Sequence, residues 1–275
     1  MPVIINTNVA SLQAQKNLSN SQNLMATSFN RLSSGYRINS AKDDAAGLAI
    51  SESMRMQIRS YVVVERNTND AVSMSQTAEG ALGQISDIIV RMRELSAQGA
   101  NGALQSSDRA YLNVEFVQLQ AEIQRMMATT KFNGVQLINS ALTPVAFQVG
   151  INNVTTDRIT VAFGGLKITA LLTNTTRLTS AATNAQGAMD VIDSALRSLS
   201  TARAGYGAVM NRLENTIGNI QTMRVNVAAA NSRIRDVDVA EESAVLSRQQ
   251  VLAQAGASIL AQANQVPQMA LGLLK

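Results

Sequence analysis

The chain has 275 residues, no Cys, no His, 3% aromatic residues and a formal net charge of +4. The absence of Cys excludes disulfides and thiolate metal sites, and the absence of His excludes the commonest metal ligand and general base. Acidic and basic residues alternate along the chain instead of clustering, which argues against nucleic acid as a partner.

The first residues, MPVIINTNVASLQ, have neither the basic stretch nor the apolar stretch of a secretory signal. If the protein leaves the cell, we expect a route that uses no cleavable signal. No segment approaches the roughly 20 apolar residues of a membrane span, so we predict no membrane partner.

A stripe of apolar residues at helical spacing predicts a first helix, with Ile5, Val9, Leu12, Leu18, Met25, Phe29 and Leu32 on one side. The stripe stops at the Ser-Ser-Gly run of residues 33–35. Either Asn39 or Ser40 could cap a second helix, with Asp43 and Asp44 in its first turns, where acids suit the helix dipole. We therefore expect a joint between two helices here.

Two further helices are predicted before the centre of the chain. The second ends near Gly99 or Gly102, and its apolar positions are Ile50, Met54, Ile58, Tyr61, Leu82, Ile85, Ile89 and Met92. The third starts near Asp108 and ends at the FNG sequence of residues 132–134; its apolar positions are Leu112, Phe116, Leu119, Ile123 and Met126.

The centre of the chain is the only region with strand-like alternation. Two short runs alternate apolar and other residues, with Val145, Phe147 and Val149 in the first and Ile159, Val161 and Phe163 in the second. Asn152 and Asn153 lie between the runs, so we predict a β-hairpin. The apolar run at residues 168–172 is a candidate for a further strand, and residues 173–183 are typical of a loop.

Heptad spacing predicts a long helix from about residue 188 to 234, with seam positions Ile192, Leu199, Tyr206, Leu213, Ile220, Val227 and Ile234. A second seam follows in the C-terminal region, at Val245, Leu252, Ile259, Val266 and Leu273. From Ile234 to Val245 the spacing is a heptad plus four. Such an insertion locally unwinds a supercoil, so we predict a second joint at residues 235–243.

Both ends of the chain are poor in charge. The only charged side chain among residues 1–30 is Lys16, and the only one among residues 243–274 is Arg248. Apolar residues interspersed with Gln, Asn and Ser favour helices that other protein encloses on most sides, because amides are desolvated at less cost than charges. We therefore predict that the two ends pair with each other and with further copies.

The predicted fold class is mainly α: a long antiparallel, coiled-coil-like helical rod with a small central β-hairpin and paired N- and C-terminal helices. We expect the terminal helices at residues 1–44 and 235–275 to form one domain. Residues 45–139 and 180–234 are expected to form a bundle of long helices, which carries the hairpin and surface loop of residues 140–179.

Two pairs of adjacent acids, Asp43–Asp44 and Glu241–Glu242, invite an acid–base interpretation. Adjacent residues on a helix point to different sides, so neither pair suits that chemistry. No nucleotide-binding loop, zinc-hydrolase motif or Ser-His-Asp set is present. We predict no enzyme, no cofactor and no metal site.

Several stretches together resemble bacterial flagellin. They are VIINTNVASLQAQKNL, RLSSGYRINSAKDDAAGLAIS, NTNDAVSMSQTAEGALGQI, VRMRELSAQGANG, KFNGVQLI and SRQQVLAQAGASILAQANQVPQMALGLLK. The resemblance spans roughly residues 1–140 and 185–275, and the short centre makes this a minimal form of the family.

The resemblance implies a structural subunit that polymerises into the helical tube of the flagellar filament and serves swimming motility. The terminal segments would form its inner tube and the long helices and hairpin its outer tube. Subunits would leave by type III export and add beneath a filament cap protein, with hook–filament junction proteins at the base. The export chaperone is expected to cover the terminal seam at Val245, Leu252, Ile259, Val266 and Leu273.

The resemblance also implies a binding site for a vertebrate flagellin-sensing Toll-like receptor at Arg91, Leu95 and Glu115. These residues are expected to form one exposed cluster that also packs between subunits. Two alternatives remain at this point: a hook–filament junction protein, which shares flagellin-like ends, and a helical membrane-active translocator of a type III system. Filament formation would distinguish the first from flagellin, and leakage from liposomes would favour the second.

Overall fold

The computed structural model describes residues 7–173, 176–178 and 181–272, with side chains described up to residue 265. Within these residues the helices are α1 (Val9–Ser34), α2 (Ala45–Gly99), α3 (Ser106–Thr129), α4 (Thr169–Leu172), α5 (Ala182–Arg235) and α6 (Val239–Gly272). The strands are β1 (Lys131–Phe132), β2 (Val135–Gln136), β3 (Leu142–Gln148) and β4 (Arg158–Gly164). The mainly helical fold and the long predicted helices are thereby confirmed.

The ends of α1 follow from local hydrogen bonding. The Asn8 side chain accepts a hydrogen bond from the Ser11 backbone N–H at 3.1 Å, which satisfies one of the free donors of the first turn. Gly35 ends the helix in the left-handed conformation, with φ of 74° and its N–H bonded to the Arg31 carbonyl. The predicted stop at residues 33–35 is therefore confirmed.

The cap predicted for α2 is wrong. Asp44, and neither Asn39 nor Ser40, accepts the hydrogen bond from the Gly47 N–H at 2.9 Å, so the helix begins about one turn later than expected. Asp43 instead closes a preceding turn by accepting from the Ser40 hydroxyl and from the Ser40 and Asn39 backbone N–H groups. The hydrogen bond from the Ser40 side chain is the largest cause of the lowered pKa of Asp43.

The third predicted helix ends earlier than its FNG boundary. It stops at Thr129, and Asn133 and Gly134 become the two central residues of the β1–β2 hairpin. Both have positive φ, 45° and 81°, as tight turns between antiparallel strands require. The Asn-Gly pair is typical of this turn.

The predicted central hairpin is confirmed as β3 and β4. The two strands pair antiparallel, with Val145 opposite Val161 and Phe147 opposite Ile159. The strand predicted at residues 168–172 is wrong, because this run forms the single-turn helix α4 and buries Leu171. A short apolar run does not distinguish a buried strand from a buried helical turn.

The contacts within the chain define two compact units. One contains Met1–Ile58 with Val225–Lys275, and the other is Arg59–Arg224. In the second unit, four seam residues of α5 belong to the core shared with α2, α3 and the hairpin: Ile192, Leu199, Tyr206 and Leu213. Ile220 is also buried. Residues 140–179 thus share the core of the long helices. The unit boundaries lie inside α2 and α5, about ten residues or more away from the predicted joints at 44 and 235.

Candidate functional site

The first unit is dominated by the antiparallel pair α1 and α6. The Asn8 side-chain amide donates to the Ala263 carbonyl at 2.8 Å, and the Ser11 hydroxyl to the Asn264 side chain at 2.7 Å. Further along, the Cβ that Gly256 lacks would lie 3.5 Å from the Leu18 side chain. The start of α1 therefore lies beside the later part of α6, which confirms the predicted pairing of the terminal helices.

Small and large side chains both line the contact between these helices. Ala14 and Ser28 are the buried residues of α1. On α6 the less exposed positions alternate at three and four residues, at Leu246, Gln249, Ala253, Gly256, Leu260 and Ala263. This spacing is that of one helix face. Small residues let two backbones approach closely but bury little apolar area.

A polar joint closes the other end of the pair. Arg31 lies 3.6 Å from Glu242, whose side chain is largely buried. Residues 36 and 236 form an antiparallel bridge, flanked by hydrogen bonds from the Arg37 N–H to the Arg235 carbonyl at 2.7 Å and from the Val237 N–H to the Gly35 carbonyl at 3.1 Å. The two joints predicted from sequence therefore bind each other.

Large apolar side chains remain exposed on the outer sides of both helices. On α1 they are Val9, Leu12, Leu24 and Phe29, and on α6 they are Val239, Val251, Leu252 and Ile259. Val9 and Phe29 are 66% and 65% exposed. Exposed large apolar side chains in this number indicate a site of protein–protein contact. The charge-poor composition of both ends indicated this surface.

The residues of the predicted terminal seam lie beside the α1 contact. Val245 is half-buried, whereas Leu252 and Ile259 are 48% and 55% exposed. The Val266 side chain and Leu273 lie outside the described residues. The face that meets α1 is the neighbouring row from Leu246 to Ala263, which the heptad pattern did not reveal. Leu252 and Ile259 are accordingly free to contact another molecule.

The predicted receptor cluster is brought together only in part. The Arg91 side chain donates to Glu115 and to Glu94, each at 2.9 Å, so α2 and α3 meet through a charged group of three. The hydrogen bond that Arg91 donates to Glu115 is the largest cause of the raised pKa of Arg91. Glu94 was missed from sequence, although its spacing of three from Arg91 could have revealed it.

Leu95 was expected to be exposed in this cluster, and that expectation is wrong. It is 1% exposed and belongs to the core shared with Phe116 and Ile192. Leu95 lies four residues after Arg91, but the side chain turns to the apolar side of α2. The exposed cluster is Arg91, Glu94 and Glu115.

The described part of the chain contains neither a candidate metal-ligand group nor a candidate membrane-spanning helix. It contains no group of three or more Asp or Glu side chains that could hold a metal ion. Within the same residues, no helix combines the length and the apolar character that crossing a membrane requires.

Two family models and two related proteins all point to the same family. The family model for the bacterial flagellin N-terminal helical region matches residues 5–143, and that for the C-terminal helical region matches residues 189–274. The chain is 44% identical to flagellin of Halalkalibacterium halodurans, over 99% of this chain and 100% of that protein. It is 38% identical to the flagellar filament 33 kDa core protein of Treponema phagedenis, with the same coverage.

A solved structure of a putative flagellar hook-associated protein from Vibrio parahaemolyticus superposes with a TM-score of 0.59. It covers 70% of this chain and 100% of that one at 15% identity, which shows a shared fold alone. Neither the junction-protein nor the translocator alternative is favoured by these matches. The chain belongs to the bacterial flagellin family and is a structural subunit of the flagellar filament.

Proposed function

We propose that copies of this chain polymerise by covering the outward apolar faces of α1 and α6 with neighbouring copies. The observation that carries the proposal is the set of eight large apolar side chains exposed on these two helices. Complete removal of one Leu- or Phe-sized side chain from water contributes about 1.5–3 kcal/mol. The eight side chains are about half to two-thirds exposed, so covering all of them contributes on the order of 10 kcal/mol, which is comparable with the roughly 4–15 kcal/mol that association costs in lost freedom.

The polymerisation face is tested by the double substitution Leu252→Asp and Ile259→Asp. Both side chains are about half exposed in the single chain, so the monomer should keep its helical content by circular dichroism. Two carboxylates placed in an apolar interface should prevent filament growth, because burying unpaired charges is costly. The matched control is Leu252→Met with Ile259→Leu, which keeps the apolar character. Normal filaments from the aspartate variant, seen by electron microscopy, would contradict the proposal.

The same exposed face supports further partners before assembly. We expect the flagellin export chaperone to cover Leu252 and Ile259, because an uncovered apolar face promotes premature association. Secretion by type III export, addition beneath the cap protein and contact with hook–filament junction proteins follow from family membership as proposals. A pull-down with the export chaperone should retain the Met–Leu control and lose the double aspartate variant. If the chaperone retained both variants, the proposal that it binds this face would be refuted, and polymerisation would remain as the only proposed role of the face.

Recognition by the vertebrate Toll-like receptor is a separate proposal, supported by the exposed charged group on α2 and α3. Arg91 and Glu115 would offer paired charges to the receptor, and Leu95 would act from the core by holding this turn of α2 in place. Arg91→Ala should weaken receptor activation by the monomer and also filament stability. Arg93→Ala is the matched control, because Arg93 is similarly exposed and pairs with Asp193 at 2.7 Å. Equal activation by both variants in a reporter assay would refute the assignment to Arg91.

A further inference from the structure

Two Asn-Gly steps occur in the chain, Asn101–Gly102 and Asn133–Gly134. In such a step the glycine backbone nitrogen can attack the asparagine side-chain amide and close a five-membered succinimide. Glycine favours this attack because it has no Cβ to obstruct the approach. The surroundings of each step decide which of the two reacts.

The Asn101–Gly102 step lies in the exposed turn between α2 and α3. Within the described residues, the Gly102 N–H has no hydrogen-bond acceptor. A Cβ placed on Gly102 would meet no atom within 4 Å. The attacking nitrogen is therefore unpaired and open to solvent.

Arg109 polarises the peptide bond that contains this nitrogen. Its Nη2 donates to the Asn101 carbonyl at 3.0 Å, and its Nε donates to the Gly99 carbonyl at 2.9 Å. The arginine is only 7% exposed and is held in place by both bonds. A cation on the Asn101 carbonyl withdraws electron density from the Gly102 N–H and makes its proton easier to remove.

The electrophile is also activated. The Asn101 Oδ1 accepts a hydrogen bond from the Ala103 N–H at 3.1 Å. Negative charge collects on this oxygen when the amide carbon is attacked, and a donor already in place stabilises that charge. The turn thus places an activated nitrogen and an activated amide in adjacent residues.

The second Asn-Gly step has an equally open glycine, since a Cβ on Gly134 would meet no atom within 4 Å, but it lacks both activating hydrogen bonds. Asn133 is held at φ of 45° in the two-residue turn between β1 and β2. Within the part of the chain that the structure describes, its side chain forms no hydrogen bond and no arginine binds its carbonyl. Asn133 therefore serves as an internal comparison with the same dipeptide.

We propose that Asn101 is a site of self-promoted deamidation in the folded protein. A solvent hydroxide removes the Gly102 N–H proton, and the nitrogen forms a bond to the Asn101 amide carbon. The bond from that carbon to Nδ2 breaks, and ammonia leaves after taking a proton from water. One water molecule then opens the imide to a carboxylic acid, which gives its proton to ammonia, so asparagine and water give a carboxylate and ammonium.

Arg109 also directs how the imide opens. Water attack on the former backbone carbonyl, which Arg109 binds, produces isoaspartate. Its free carboxylate then stays against the guanidinium, and a charge-assisted hydrogen bond is stronger than one to a neutral carbonyl. Isoaspartate is therefore the expected main product at this position.

The experiment follows both Asn-Gly steps in the full chain by peptide mapping and mass spectrometry at mildly alkaline pH. In the folded monomer Asn101 should convert about tenfold or more faster than Asn133, which is below the roughly hundredfold or more that one well-placed oxyanion donor contributes in an enzyme. In concentrated urea the deamidation rates at Asn101 and Asn133 should converge, because unfolding removes the hydrogen bonds at Asn101 and leaves the same Asn-Gly dipeptide at both positions. Equal rates in the folded protein would overturn the proposal.

Two variants test the assigned groups. Gly102→Ala fits the open turn and should slow conversion at Asn101 several-fold, with Asn133 unchanged. Arg109→Gln should slow it too and lower the isoaspartate fraction, measured by enzymatic methyl labelling. Circular dichroism checks the fold of each variant. If Arg109→Gln does not fold, the Gly102→Ala variant and the comparison with Asn133 still test whether Asn101 deamidates by this mechanism. Unchanged conversion at Asn101 in folded Gly102→Ala would refute the mechanism.

Discussion

Gly164 shows how one residue without a side chain fixes the end of the central hairpin. It has φ of 80°, and a Cβ there would collide with the Asn139 side chain and the Ala141 carbonyl. Gly165 is also left-handed, and its N–H bonds to the Ala141 carbonyl at 3.1 Å. The pair of glycines was visible in the sequence, but the close approach of residues 139–141 was not.

Gly164→Ala should destabilise the protein by about 2–4 kcal/mol, since a left-handed alanine is strained and its Cβ displaces packed atoms. The control is Gly80→Ala in the interior of α2, where a Cβ would meet nothing within 4 Å. That change should stabilise by roughly 0.5–1 kcal/mol, because alanine favours the helix over glycine. Urea unfolding of both variants measures the difference, and a loss of similar size in each would contradict this account.

Tyr206 links the α5 seam to the hairpin. Its ring stacks on Phe163 with centroids 5.7 Å apart, and burial raises its pKa above the ordinary value of 10.0 while a hydrogen bond with the Gly164 backbone opposes this in part. The folded state therefore holds the phenol proton more tightly than the unfolded state does. The stability that the protonated Tyr206 phenol contributes to the folded state is fully present below pH 10.0 and declines as the pH rises through the raised pKa.

Tyr206→Phe should accordingly reduce the loss of stability above pH 10.0. The measurement is urea unfolding at several alkaline pH values. Tyr111→Phe controls for the loss of one phenol, because the Tyr111 ring is exposed and lies outside the core. If the Tyr206 variant loses stability with pH as steeply as the unmodified chain, the phenol at position 206 is not the group responsible.

At the scale of elements, apolar periodicity predicted α5 well and α6 less well. In α5 the large heptad residues are also the buried ones, because several elements surround this helix in the second unit. In α6 the heptad residues Leu252 and Ile259 are exposed, and the less exposed row beside them, which includes Leu246 and Leu260, meets α1. Periodicity finds a large apolar face but does not say whether the chain itself or another molecule covers it.

The joints between helices illustrate a second limit of sequence reasoning. The stutter in spacing correctly marked a break near Arg235, but not what holds the break together. Arg235 stacks over the Tyr36 ring at 4.5 Å and pairs with Glu52 at 2.8 Å, so three separate segments converge on one side chain. Contacts between residues almost 200 positions apart leave no local signal. The prediction of a cap at Asn39 or Ser40 failed for a simpler reason, since the actual cap, Asp44, is one of several acceptable cap residues that stand close together.

At the scale of the whole molecule, the two units differ in what supports them. The second unit has a continuous core of large residues that are fully buried, such as Phe116 and Phe163. The α1–α6 pair has few fully buried residues, such as Ala14 and Ser28 on α1, and several of its large apolar side chains are exposed. Ordering a residue costs roughly 1–2 kcal/mol of backbone entropy, so this pair depends strongly on surface that other copies cover.

Polymerisation should therefore protect the chain ends from proteolysis. In the monomer, residues 1–40 and 240–275 should be cut early by a protease specific for Lys and Arg, with Lys16 and Arg248 as the first sites because both are exposed. Local opening of α1 and α6 disrupts few buried contacts, whereas opening α2 near Arg93 disrupts the main core. In filaments, cleavage at Lys16 and Arg248 should slow by about tenfold or more, since neighbouring copies stabilise the closed state. Arg93 serves as the internal reference for protease activity. Equal cleavage of Lys16 and Arg248 in monomer and filament would show that assembly does not depend on burying these two helices.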